Sequence, residues 1–149
     1  MSIKKKIVVI DWTNIYKSEG EYLKLTLTSD QRKILRGKRV TDCNQELYLQ
    51  LPRDRTLDDG DILITNYDGI FVEIIAKKEN LLEINGKSNL ELLKTAYHLG
   101  NRHVELEITK DGVLTKSDYL IEELIKNFNV TFFKVEKKFF PEKGAFNHE

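Results

Sequence analysis

A change of hydrophobic period halfway along this chain predicts an α+β protein. Its parts are a small N-terminal β domain over residues 1–72, a βαββαβ domain over 73–138 and a flexible C-terminal tail over 139–149. Three observations carry the prediction. The first half alternates apolar and polar residues in short runs separated by turn formers, as strands do. The second half holds two segments with apolar residues every three or four positions, as helices do, and from Phe139 both periods dissolve.

Residues 1–6 are basic, but the apolar run at 7–10 that follows is too short for a signal-peptide core or a membrane span, so it reads as a first strand. Residues 22–27 and 46–51 alternate, and 62–72 contains a hairpin signal at Asp68-Gly69. Asp58-Asp59-Gly60-Asp61 lacks the alternating acids and distant glutamate of a calcium loop, and reads as a polar turn before the strand at Ile62. Arg32, Lys33, Arg36, Lys38 and Arg39 concentrate positive charge in what reads as a solvated loop. No aromatic residue is interleaved to stack on bases, which argues against nucleic acid.

The second half orders as a strand at 70–76, a helix from Asn89, a strand from His103, a turn at Asp111-Gly112, a short strand at 113–114, a helix over 117–127 and a strand over 130–135. That sequence of elements is the split-βαβ, or ferredoxin-like, arrangement with both helices on one face of an antiparallel sheet. In the first helix Ser88 followed by Glu91 has the form of a capping box. Leu90, Leu93, Ala96 and Tyr97 fall on one stripe that Leu92 and Leu99 widen, with Glu91, Lys94 and His98 on the wet side. Gly100 is expected to end this helix in the left-handed conformation. In the second helix Leu120, Ile121, Leu124, Ile125 and Phe128 form the expected buried stripe, with Thr115 or Ser117 as cap. Pro141, Glu142, Lys143 and Gly144 cannot continue a helix or a central strand, so a mobile tail is expected.

The composition bounds the function. The 24 basic and 24 acidic residues cancel, so net charge favours neither nucleic acid nor an anionic membrane. One cysteine, Cys43, allows no intramolecular disulfide and no thiolate cage, which fits a reducing cytoplasm. Two domains within 149 residues are each small enough to gain from dimerisation.

The most informative stretch is Ala96-Tyr97-His98-Leu99-Gly100-Asn101-Arg102-His103, which puts an imidazole just past a helix and at the entry to a strand, where a metal can be held. The alternation from His103 onward puts His103, Glu105 and Glu107 on the polar face of that strand. Same-face neighbours stand nearly 7 Å apart on a pleat, however, so the two glutamates read as a solvated face rather than as ligands. Alone, His103 would read as an ordinary surface histidine, and His98 as solvent-facing on the other side of Gly100.

This stretch resembles that of the UreE family, urease accessory proteins that act as nickel metallochaperones. The likeness extends in order through Leu49-Gln50-Leu51-Pro52-Arg53, Leu57-Asp58-Asp59-Gly60-Asp61-Ile62-Leu63, residues 79–84 and Phe140-Pro141-Glu142-Lys143-Gly144-Ala145-Phe146, covering most of the chain from about Thr28. The resemblance implies a partner-binding or peptide-binding N-terminal domain and a ferredoxin-like domain that dimerises. It also implies a cytoplasmic homodimer that is no enzyme, binds Ni²⁺ at its interface and delivers it, through the urease accessory GTPase UreG, to the urease apoprotein assembly complex. It implies that His103 lies near the dimer axis so that two copies share one ion, and that His148 in the tail completes the site. Gly100, Asn101 and Arg102 are then the turn that aims His103, and His98 is at most an auxiliary ligand. Zinc and copper can take nickel's place in vitro, since imidazole alone ranks copper above nickel and zinc close by.

The chain departs from many members at Glu105, where they have proline, at Asp54, where they have glycine, and at Ala145-Phe146-Asn147-His148, where they have Ala-Tyr-Gly-His. It has a single tail histidine and none at 116–119, so the resemblance implies neither a large nickel store nor a peripheral site there. Two other readings compete. One is a metal-dependent hydrolase using His103 and His98 with Glu105 or Glu107 as base. The other is a non-metal interaction module that dimerises through its ferredoxin-like half.

Overall fold

In a computed structural model that describes residues 6–16 and 19–144, the chain divides into two compact units, Met1–Lys77 and Lys78–Glu149. The expected boundary fell a few residues earlier, at 72/73.

The first unit is built on a six-stranded sheet. Its strands are β1 (Ile7–Thr13), β2 (Glu21–Leu27), β3 (Arg36–Val40), β4 (Glu46–Gln50), β5 (Ile62–Thr65) and β6 (Ile70–Ala76), in the order β2-β6-β5-β1-β4-β3. The alternating residues Leu23, Leu25 and Leu27 of β2, Leu47 and Leu49 of β4 and Val72 and Ile74 of β6 are buried in one core with Leu51, Leu57 and Leu63. The hairpin at Asp68-Gly69 forms as expected, with Gly69 at φ +76° between the antiparallel β5 and β6. The Asp58–Asp61 turn is also as expected. Asp61 Oδ2 accepts the Asp58 amide at 2.8 Å and the Trp12 indole N–H at 3.1 Å, while Asp59 Oδ1 accepts the Ala76 amide at 2.7 Å, so these carboxylates are held by protein donors.

Two expectations in this unit are corrected. The basic segment is not a solvated loop: Arg32 is buried in a 3₁₀ turn over Gln31–Lys33, and Arg36, Lys38 and Arg39 lie on β3 at the sheet edge. Charged residues are common on edge strands because one side of the ladder is left to water, which hides such a strand from a hydrophobic pattern. The strand at 70–76 is the second correction. It pairs with β2 in parallel over seven residues and with β5, so it belongs to this first sheet and does not open the second domain.

The second unit starts instead with β7 (Lys78–Gly86), followed by α1 (Asn89–Asn101), β8 (Glu107–Ile108), β9 (Val113–Lys116), α2 (Tyr119–Ile125) and β10 (Val130–Lys138). The sheet order is β10-β7-β9-β8 with every neighbour antiparallel. β7 escaped the sequence reading because it is a central strand covered on both faces. Leu81 and Leu82 are consecutive and both buried, which erases the alternation that marks a half-wet strand.

Leu82 and Ile84 of β7 and Val113 of β9 pack with Leu92, Ala96 and Leu99 of α1 and Ile121, Leu124 and Ile125 of α2, so both helices cover the same face. The opposite face carries a smaller cluster of Leu81, Leu114, Val135 and Phe139. Phe139, the first residue of the expected tail, is therefore fully buried. The strand expected from His103 shortens to Glu107–Ile108, preceded by irregular chain.

The helices also differ in detail from the expectation. The buried stripe of α1 is Leu92, Thr95, Ala96 and Leu99, whereas Leu90, Leu93 and Tyr97 are 59, 68 and 68% exposed. Thr95 can be buried because its hydroxyl donates to the Glu91 carbonyl at 2.8 Å, which settles its polar group inside the helix. α2 is capped by Asp118, whose Oδ1 accepts the Leu120 amide at 2.7 Å, and not by Thr115 or Ser117. Leu120 is 74% exposed.

Candidate functional site

Helix α1 positions the histidine. Ser88 caps its start by accepting the Glu91 amide at 3.3 Å, and the next thirteen residues run as an uninterrupted helix, about 20 Å long. The far end closes by two reverse bonds. The His103 amide donates to the Gly100 carbonyl at 3.0 Å and the Val104 amide to the Leu99 carbonyl at 3.1 Å, the pairing of a Schellman motif with His103 at its left-handed position.

The left-handed residue is thus His103, at φ +60°, and not Gly100, which lies inside the helix. Glycine occupies this position most often. A side chain there costs on the order of 1 kcal/mol, histidine being tolerated better than bulky or branched residues. The turn is held by apolar packing on both sides of the pivot, because fully buried Leu99 and half-buried Val104 join the same core. The consequence for the site is direct: the chain reverses at residue 103 and leaves the imidazole exposed beyond the helix end. The unpaired carbonyls of that end carry about half a negative charge, which favours a cation placed there.

Gly100, Asn101 and Arg102 form the last turn and cap of α1, with the Gly100 carbonyl as the acceptor that fixes His103. His98 is exposed on the preceding turn, with its ring stacked on Phe128 at 5.1 Å and edge-on to Tyr97 at 5.3 Å. His148 lies outside the described residues.

The two glutamates that the strand pattern aligned with His103 are engaged elsewhere. Glu105 pairs with Lys116 at 3.6 Å, and Glu107 Oε1 accepts the Phe140 amide at 2.8 Å. Among the described residues of one chain, no three of His, Cys, Asp and Glu converge as a metal-binding group. Sequence reasoning missed the bond between Glu107 and Phe140, and no local pattern signals it: the two residues are 33 apart and meet only because Phe139 is buried beneath the sheet.

Fold and site together define an α+β protein of two units, the second of which exposes an imidazole at the end of a helix. A family model described as the UreE urease accessory protein, C-terminal domain, matches residues 79–149. Over 149 residues the chain is 63% identical to the urease accessory protein UreE of Prochlorococcus marinus subsp. pastoris (strain CCMP1986 / NIES-2087 / MED4), covering all of this chain and 97% of that one. The protein of the same name from Prochlorococcus marinus (strain MIT 9215) is also 63% identical, with both chains covered in full. The one from Synechococcus sp. (strain CC9311) is 40% identical over 124 residues, 83% of this chain and 80% of that one. The chain belongs to the urease accessory protein UreE family, as the motif ending at His103 implied. No helix among the described residues is long and apolar enough to cross a membrane.

Proposed function

We propose that this protein is a nickel carrier for urease assembly, a cytoplasmic homodimer in which the paired His103 imidazoles grip one Ni²⁺ ion. His148 completes the coordination, and the ion is released by ligand exchange to the accessory GTPase UreG and the urease apoprotein complex. The single observation that carries the reading is His103 itself: a metal-binding side chain held exposed, in a backbone conformation that works against stability, at the cation-favouring end of a helix. Strain maintained at one exposed residue is expected where that residue has a task.

Two further observations support it. Leu93 and Tyr97, one turn apart and both exposed, give the helix that ends at His103 an apolar side for a second copy to cover. A two-fold axis that passes close to His103, at the end of this helix, brings the two imidazoles within reach of one ion. The strand order β10-β7-β9-β8, with α1 and α2 on one face, agrees with a ferredoxin-like assignment of this unit. His98, held against Phe128, is assigned an auxiliary part at most. The first unit is assigned to partner or peptide binding, for which the exposed Ile15 and Tyr16 supply apolar surface.

An open shell of imidazoles and water suits transfer, since a closed four-ligand cage would retain the ion. No bond of a substrate is broken, and the ion itself is the cargo. Calorimetric titration with Ni²⁺, paired with a mass measurement in solution, tests the reading. One ion per dimer is expected, lost in His103→Ala while the dimer persists. Unchanged nickel binding in that variant would overturn it.

A further inference from the structure

Three aromatic rings form a column on the face of the first sheet turned away from its core. Tyr22 of β2 and Phe71 of β6 stand opposite each other in the parallel register, with ring centroids 5.2 Å apart and planes at 23°. Leu23 and Val72, the next residue on each strand, are in the core, so Tyr22 and Phe71 lie on the sheet's other face. Tyr16 stacks in turn on Tyr22 at 5.0 Å and 23°. Burial falls along the column: Phe71 is 7% exposed, Tyr22 is half-buried and Tyr16 is 71% exposed. The outermost ring is thus oriented by two rings beneath it and turned to the solvent.

Carboxylates flank the column. Gly20, at φ +130°, lies so close to Phe71 that a Cβ there would sit 3.0 Å from the ring, and the Glu21 amide donates to the Gly69 carbonyl at 2.7 Å. The residues next to these contacts are Glu19, Glu21 and Asp68, all exposed. Lys24, the following outward residue of β2, stands opposite Glu73 in the register, so it offsets a fourth carboxylate and leaves those three in excess. The face of an aromatic ring is itself negative, and a ring already fixed by stacking offers that face at little entropic cost. Ring and carboxylates therefore favour the same ligand, a cation on an apolar stem. Ile15, beside Tyr16 in the chain and 64% exposed, gives the stem a surface. The first unit already makes one such contact internally, where the Arg55 guanidinium lies 4.2 Å over the Trp12 ring.

We infer that this face of the first unit docks a basic segment of a partner protein, with an arginine or lysine side chain laid on the Tyr16 ring and its charge met by Glu19, Glu21 and Asp68. This rests on the assignment of the first unit to partner or peptide binding and gives that partner a chemistry. An acidic segment is repelled by the same carboxylates, and a purely apolar one leaves them without a counter-charge. Nickel takes no part in the contact.

The test uses the full chain without nickel. Peptides selected on it from a random dodecapeptide library are expected to carry arginine or lysine beside a large apolar residue. Fluorescence anisotropy then compares one selected peptide across variants. Tyr16→Ser should weaken its binding by about 10–30-fold, as loss of an aromatic anchor does, while Tyr16→Phe, which keeps the ring, should bind like the unaltered chain. Glu21→Lys should weaken it by about fivefold at low salt and by less at high salt. Both positions are exposed, so circular dichroism should stay the same in all three variants. Selected peptides without basic residues, an affinity unmoved by Tyr16→Ser or by Glu21→Lys, or a Tyr16→Phe protein as weak as Tyr16→Ser would each overturn the inference while leaving the first unit as a peptide-binding one. If no peptide is selected at all, the assignment of the first unit falls and the inference with it.

Discussion

The amide of Val104 reaches back 3.1 Å to the carbonyl of Leu99, and the residue on which that turn pivots, His103, is left-handed and exposed. The two bonded residues are packed in the core, so the pivot cannot relax without disturbing both. A buried frame thus holds an exposed imidazole in place.

That frame makes glycine the more comfortable residue at the pivot. His103→Gly is expected to be more stable than His103→Ala by about 1 kcal/mol, because only glycine takes φ +60° without a steric penalty. In thermal melts this is a difference of several degrees. Equal melting temperatures for the two variants would mean that residue 103 is not left-handed in solution. Both variants lose the proposed nickel ligand, so stability and binding should move independently.

The two sides of α1 should respond differently to truncation. Leu99→Ala removes a fully buried side chain and should cost about 2–5 kcal/mol in denaturant unfolding. Leu93→Ala, at an exposed position, should change the stability of the unit by less than about 0.5 kcal/mol. In the proposed dimer, Leu93→Asp should shift the mass in solution toward the monomer while leaving circular dichroism unchanged. A Leu93→Asp protein that stays fully dimeric would show that the second copy covers a different face.

Gly86 ends β7 where α1 crosses close to it. A Cβ placed there would lie 2.6 Å from the Ser88 carbonyl oxygen and 2.7 Å from the Leu92 amide and Cβ, all on rigid chain. Gly86→Ala should therefore destabilise by about 1–3 kcal/mol through overpacking, although alanine favours regular structure elsewhere. A variant that melts with the unaltered protein would show that the helix start can move aside.

In the first unit, Asp61 accepts from both Asp58 and Trp12, and the guanidinium of Arg55 lies 4.2 Å over the Trp12 ring. Asp61→Ala removes the acceptor of one part-buried and one exposed donor and is expected to cost about 0.5–1.5 kcal/mol. The chain has a single tryptophan, so its fluorescence reports this site alone and should shift as the indole N–H loses its acceptor. An unshifted spectrum would argue that the indole bond is not formed.

Where one residue's neighbours in sequence are also its physical partners, the chain could be read directly. Ser88 and Glu91 marked the start of α1, Asp68-Gly69 marked a hairpin, and the run ending at His103 marked the family before any geometry was known. Where partners are distant the reading failed. The strand at 70–76 has the same local pattern in either sheet, and only its pairing with β2 assigns it to the first.

By itself, then, the sequence determined the α+β class and the two-part organisation, because periodicity, capping and turn chemistry act within a few residues, while the family and the choice of His103 came from the resemblance of its motifs. Tertiary structure decided which side of α1 is buried, since both sides are apolar and Thr95, its hydroxyl bonded to the Glu91 carbonyl, is buried while Leu93 and Tyr97 are exposed. It also decided that the left-handed pivot is His103 and that Phe140 meets Glu107. The first depends on the burial of Leu99 and Val104 in the core, and the second on the burial of Phe139, which brings together residues 33 apart.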